Sequence, residues 1–127
     1  MTTRKSVAVV GASADRSKYS NKAVWAHVDQ GWEVYPVNPK GGTIEGLQVY
    51  ASIRDVPVPI DRVTVYLPPE AGMSVLPDIA AAGPVELFLN PGAESGELVA
   101  RARSLGLDPI LACSIVALGV SPANYGA

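Results

Sequence analysis

One cysteine, Cys113, and one histidine, His27, are all that the sequence has of either residue. A single cysteine excludes an intramolecular disulfide framework and a cysteine-based zinc knuckle. A single histidine leaves little for His-ligated metals or a His-dependent triad. A surplus of one charge sign is also missing: ten Lys and Arg stand against twelve Asp and Glu, a formal net charge of −2. Nucleic-acid binders carry an electrostatic footprint, and no basic block supplies one, so no nucleic-acid partner is expected. Long apolar runs are absent as well. Ile110–Val120 is about half the ~20 residues a membrane helix needs. Ser6–Gly11 is too short for a signal-peptide core, and Asp15, Arg16 and Lys18 follow quickly. No membrane contact is expected, and a cytoplasmic location is the default.

What is present points to a packed domain. The 127 residues are 48% hydrophobic and 17% charged, which suits one domain over 1–127 that buries roughly two thirds of its chain surface. Five apolar runs, the first of them β-branched, read as strands: Ser6–Val10, Glu33–Val37, Arg62–Leu67, Val85–Leu89 and Pro109–Cys113. Pro36 places the second at an edge or an irregular position. Between them lie helical spacings. Asn21–Asp29 carries Val24 and Val28, with Ser20 as N-cap and Gly31 as stop. Pro69–Ala82 carries Met73, Leu76, Ile79 and Ala80 and ends at Gly83, while Ser95–Leu105 carries Leu98 and Ala102 and ends at Gly106. The segment Gly41–Ile60 is less regular, with one helical turn from Ser52 to Val56, and the tail from Ser121 is expected to fray. Alternating strands and helices predict an α/β fold: a single Rossmann-like domain with a parallel sheet of about five strands and helices on both faces.

In such sheets ligands bind outside the carboxyl ends of the strands. Here those ends are Gly11-Ala12-Ser13, Asn38-Pro39-Lys40, Leu67-Pro68-Pro69, Asn90-Pro91-Gly92 and Cys113-Ser114, all small or turn-forming residues that let a ligand approach the main chain. Each also has a plain structural reading, since turns must lie somewhere. The first loop lacks the second and third glycines of the dinucleotide fingerprint G-x-G-x-x-G, running instead through Ala12, Ser13, Ala14 and Asp15 to Arg16. The second strand ends in Lys40 rather than in the acidic residue that takes an adenosine ribose hydroxyl. With Arg16 and Lys18, Lys40 favours a more heavily phosphorylated nucleotide than NAD.

Three stretches together carry a resemblance: VAVVGAS from Val7, GWEVYPVNP from Gly31, and GLQVYASIRDVP from Gly46. They resemble the small stand-alone CoA-binding proteins, a family similar to the CoA-binding domain of the succinyl-CoA synthetase alpha subunit. The likeness runs from about Ser6 to Leu118. It implies that Ser13-Ala14-Asp15-Arg16 embraces the CoA phosphates and that Lys40 contacts the nucleotide end. It implies further that Leu67-Pro68 and Leu89-Asn90-Pro91 line the pantetheine side. The first loop departs from the synthetase pattern in lacking its glycines.

His27 cannot inherit the phosphorylated histidine of the larger synthetases, which belongs to a later domain, and reads as a structural or surface residue. Cys113 reads either as a small buried hydrophobe or as a thiol within reach of the CoA sulfhydryl, able to form a mixed disulfide. Glu70 and Asp78 are expected to face solvent. The expected function is the binding of coenzyme A or an acyl-CoA by a stand-alone, non-catalytic module serving storage, protection, sensing or delivery. A second reading is a subunit of an acyl-CoA ligase or acyltransferase that needs a partner chain. The third, an NAD(H)-binding redox sensor, is disfavoured by the shortness of the segment before Ser6, too short for a DNA-binding extension.

Overall fold

The computed structural model describes residues 4–125. Five strands form a parallel sheet: β1 (Ser6–Val10), β2 (Glu33–Val37), β5 (Arg62–Val65), β6 (Glu86–Leu89) and β7 (Pro109–Leu111), in the order β2-β1-β5-β6-β7. Two further strands, β3 (Thr43–Ile44) and β4 (Leu47–Gln48), make a separate antiparallel hairpin. The helices are α1 (Tyr19–Asp29), α2 (Pro69–Ala82), α3 (Gly96–Ser104) and α4 (Ser114–Ala117). This is the expected Rossmann-like α/β architecture, with the order reversing between β1 and β5.

Burial on both faces explains why the strands are continuous apolar runs rather than alternating ones. All five residues of β1 are buried. Ala8, Val10, Val63, Val65, Leu87 and Leu89 meet Leu76, Ile79 and Leu98 of α2 and α3 on one face. Val7 and Val9 meet Ala23, Val24 and Ala26 of α1, together with Ile115 of α4, on the other. Pro36 sits on an edge strand as expected, and that edge is covered, since the Tyr50 N–H donates to the Pro36 carbonyl and the Asn38 N–H to the Tyr50 carbonyl.

Several element ends differ from the sequence expectation. Strands β5 and β7 stop two residues early, at Val65 and Leu111, although the Tyr66 N–H still donates to the Val10 carbonyl. Helix α1 begins at Tyr19 with Lys18 as N-cap, so Ser20 lies buried inside the first turn and caps nothing. Ser95 does cap α3, its hydroxyl accepting from the Leu98 N–H at 3.1 Å, and Gly83 closes α2 in the left-handed region. The turn expected after Ser52 is a 3-10 helix over Ile53–Asp55. Past Ser121, Pro122–Asn124 forms a further 3-10 turn where fraying was expected, and the Lys22 ammonium donates to the Tyr125 carbonyl. Asp78 is half-buried and paired with Arg54 rather than free in solvent. No described helix is long and apolar enough to cross a membrane.

At the amino edge of the sheet, His27 is completely buried. Its Nδ1–H donates to the Ala23 carbonyl at 2.8 Å, which leaves Nε2 to face the Arg62 guanidinium at 3.4 Å. Arg62 is itself clamped between the Trp32 and Phe88 rings, 4.4 and 4.6 Å from their centroids, and paired with Glu86 at 3.0 Å. Burial pushes the His27 pKa down to about 4. The unfolded chain therefore takes up a proton near pH 6.5 that the folded chain refuses until about pH 4. Stability is full above pH 6.5 and falls by up to about 1.4 kcal/mol per pH unit below it. Urea unfolding at pH 7.5, 6 and 5 should show this slope, and His27→Gln should flatten it whatever its effect at pH 7.5.

Candidate functional site

The reversal of strand order opens a crevice beyond β1 and β5, because the loop after β1 leads to α1 on one face and the loop after β5 leads to α2 on the other. Gly11 sets its floor. With φ +88°, it brings the end of β1 so close to β5 that a Cβ there would lie 2.8 Å from the Tyr66 carbonyl oxygen and 2.9 Å from the Leu67 side chain. The N–H groups of Gly11 and Ala12 both donate to the Val37 carbonyl, at 3.0 and 3.2 Å.

Three hollows line this carboxyl edge. One, of about 430 Å³, lies toward α2 and is mostly apolar, with Val10, Gly11, Val37, Pro39, Leu67 and Val75 among its walls and Asn38, Ser52, Ser74 and Asp78 as its polar members. A second, of about 280 Å³, lies between the β1–α1 loop and the β3–β4 hairpin. It is lined by Ala12, Ser13, Ala14, Asp15, Asn38 and Lys40 with Gly41, Thr43 and Ile44. The third, of about 380 Å³, lies on the α4 side between Tyr19, Tyr66, Asn90, Pro91, Cys113 and Pro122. A fourth hollow, lined by Arg54, Val56, Val58 and Ile60, adjoins the first, with Ile53 and Asp78 lining both.

The asparagines at the strand ends hold the loops rather than offer free polar atoms. Asn38 donates through Nδ2 to the Ala12 carbonyl at 2.9 Å and accepts from the Lys40 N–H at 2.9 Å, tying the first two loops together. Asn90 donates to Thr64 Oγ1 and the Val65 carbonyl and accepts from the Ser114 N–H. Ser114 then links to Thr64 at 2.8 Å and to the Tyr66 hydroxyl at 3.3 Å. Burial pushes the Tyr66 phenol up to about 12, so it stays a neutral hydrogen-bonding group. Hydrogen bonds from the Ser17 hydroxyl and N–H hold the Asp15 carboxyl below its ordinary range.

The remaining expected site residues divide clearly. Lys40 is exposed at the second hollow. The Arg16 guanidinium is bound in fork geometry by the Glu45 carboxylate, Nε at 3.2 Å and Nη2 at 3.0 Å, and lines none of the three hollows. Pro68 is the N-cap of α2, Leu89 is buried in the α2-side core, and Gly92 takes φ +93° with open space beside it. Cys113 is half-buried against the α1-side core and turned to the third hollow, where no basic side chain accompanies it. Glu45, Tyr66 and Tyr19 were not singled out by sequence. Tyr66 was readable only as a strand residue, and Glu45 acts across 29 positions of chain, so no local pattern reveals it.

The sequence signature of the family described as CoA binding domain matches residues 5–119. The alpha subunit of the ADP-forming acetate–CoA ligase I from Pyrococcus furiosus is 32% identical over 140 residues, covering 97% of this chain and 30% of that subunit. The chain spans less than a third of the length of the ligase relatives it matches. Among solved structures, a conserved hypothetical protein from Pyrococcus furiosus superposes with a TM-score of 0.78 at 34% identity, covering 91% of this chain and 99% of that one. The dinucleotide-forming acetyl-coenzyme A synthetase 1 of Ca. Korarchaeum cryptofilum, in complex with phosphate and ADP, gives 0.73 at 30% identity, covering 85% of this chain and 25% of that one.

Gly11→Ala tests the floor of the crevice. The methyl group meets main chain, which has little room to yield, and the positive φ is strained for any side chain. Together these should cost about 2–4 kcal/mol, read as a lower urea midpoint at unchanged m-value.

Proposed function

The chain belongs to the CoA-binding domain family, and from that premise we propose that it binds coenzyme A or an acyl-CoA across the three hollows of its carboxyl edge. The observation that carries the reading is the make-up of this edge: an apolar slot and a cation-bearing gap meet at Asn38, and a second apolar slot lies at the ends of β5 and β6, which suits a ligand made of a base, phosphates and a long arm. The α2-side hollow suits the adenine ring, with Val37, Pro39 and Val75 against its faces and Ser74 or Asp78 at its polar rim. The hairpin-side hollow suits phosphate, with the exposed Lys40 and the main chain of Ala12–Ala14 around it. The α4-side hollow suits the pantetheine arm, where Tyr66 offers a hydroxyl and Pro91 and Pro122 offer apolar contact.

In this reading the protein is a binding module without chemistry of its own. Cys113 remains a packing residue, since no cation lines the hollow to favour its thiolate. The relation to ligase alpha subunits supports a second reading, in which a partner chain supplies the catalytic groups and this edge presents the CoA thiol to it. Adding the partner reaction would then produce acyl-CoA turnover that neither chain shows alone.

Titration calorimetry should find CoA bound more tightly than NAD at the same salt, and NAD binding as tightly or more tightly would overturn the assignment. Lys40→Ala should lower CoA affinity by roughly 1–3 kcal/mol through loss of a charge-assisted contact. A smaller loss with dephospho-CoA would locate that contact at the 3′-phosphate. Unchanged CoA affinity in folded Lys40→Ala protein would remove Lys40 from the site.

A further inference from the structure

The β3–β4 hairpin turns on two residues, Glu45 and Gly46, with φ of +49° and +79°. Positive φ at both positions is the requirement of a type I′ turn, whose first central residue is ordinarily Asn, Asp or Gly. Glu45 is the one non-glycine with positive φ among the described residues. A long side chain held in a conformation that disfavours it calls for a compensating interaction.

That interaction is visible. The Glu45 carboxylate accepts from Arg16 Nε and Nη2 and, through Oε2, from Asn21 Nδ2 at 3.0 Å. Asn21 is fully buried at the start of α1, and the same Nδ2 donates to the Ser13 carbonyl at 3.0 Å. Its Oδ1 is buried with no partner among the described residues, so the amide is oriented wholly by the two acceptors on its nitrogen. Arg16 and Asn21 together hold the Glu45 carboxyl below the usual carboxylate range. One carboxylate therefore joins three pieces: the hairpin, the β1–α1 loop and the first turn of α1. The hairpin and the loop are the two walls of the hollow that contains Lys40.

We propose that Glu45 is a positioning residue for phosphate binding, fixing the β1–α1 loop against the hairpin so that the hollow is preformed before the ligand arrives. Preorganisation raises affinity by removing the ordering cost from the binding step. Asn or Asp would serve the turn better but cannot reach Arg16, which is why a residue of this length and charge stands there. The role rests on the CoA reading for its ligand, and the state of the loop can be measured without any ligand.

The decisive variant is Glu45→Asn, which suits the turn and removes the bridge. It should fold with a Tm equal to or above that of the parent, speed amide hydrogen exchange in residues 12–17, and weaken CoA binding by about tenfold. Glu45→Gln keeps the length and the Asn21 hydrogen bond without the charge, and should fall between the two. Glu45→Asn that binds CoA as tightly as the parent, or more tightly, overturns the proposal; tighter binding would mean that Glu45 competes with the ligand for Arg16. If the parent itself does not bind CoA, the ligand assignment fails, and exchange alone decides: faster exchange in the loop supports the bridge, and unchanged exchange overturns it.

Discussion

The approach of β1 to β5 at Gly11 governs how everything at the carboxyl edge is arranged. The strand order reverses there, so the segments that follow β1 and β5 leave toward opposite faces and part to form the crevice. A side chain at this point would collide with the Tyr66 carbonyl, so the strands could not stay paired to their ends and the crevice would lose its floor. Because the loop that follows starts so deep, its main chain lies against the Val37 carbonyl, and its later residues project over the hairpin. The absence of two fingerprint glycines is thereby explained. One glycine suffices for the tight turn, and the width of the loop comes from contacts made by Asn38, Asn21 and Glu45.

Those contacts share a chemical logic. Two amides, Asn38 and Asn90, each bind main chain from two segments that are distant in sequence, and a third, Asn21, joins the Ser13 carbonyl to the Glu45 carboxylate. An amide carries both donors and an acceptor on a short side chain, so one residue can satisfy a carbonyl and an N–H at once. Buried main-chain groups at strand ends have lost their sheet partners and are costly if left alone. Placing asparagines at these ends stabilises the loops while leaving the outer surface to main chain, small apolar groups and Lys40. A nucleotide's base and phosphates suit such a surface.

Much of the fold was legible because its signals are local. Apolar runs of strand length located all five sheet strands, and Pro69 with Gly83 bounded α2 at the observed residues. The hairpin was not legible, because two-residue strands carry no period, and the four residues of α4 are little more than one helical turn. For the candidate site, the loops were readable from topology, which is why Ala12, Asn38, Lys40 and Asn90 all come to one edge. What each side chain does there was not readable. Leu89 points into the core by the alternation of β6, while Arg16 meets a carboxylate 29 residues away. Pairings of that kind depend on the assembled loops and not on any neighbouring residue.

The two edges of the sheet treat charge in opposite ways, and the contrast follows from desolvation. At the amino edge, Arg62 is buried, and a buried cation is tolerable only when its hydrogen-bonding and electrostatic needs are met. Glu86, the two aromatic faces and the neutral His27 ring meet them. His27 has to stay neutral for this packing to hold, since a second positive charge 3.4 Å from the guanidinium would have no place to be solvated. At the carboxyl edge Lys40 remains exposed to water. A cation left hydrated in this way can give up part of its water to an incoming anion, whereas one already enclosed by aromatic rings and a carboxylate has no such exchange to make. Arg62 thus contributes rigidity at the amino edge, and on the proposed reading phosphate recognition falls to Lys40 at the opposite end of the strands.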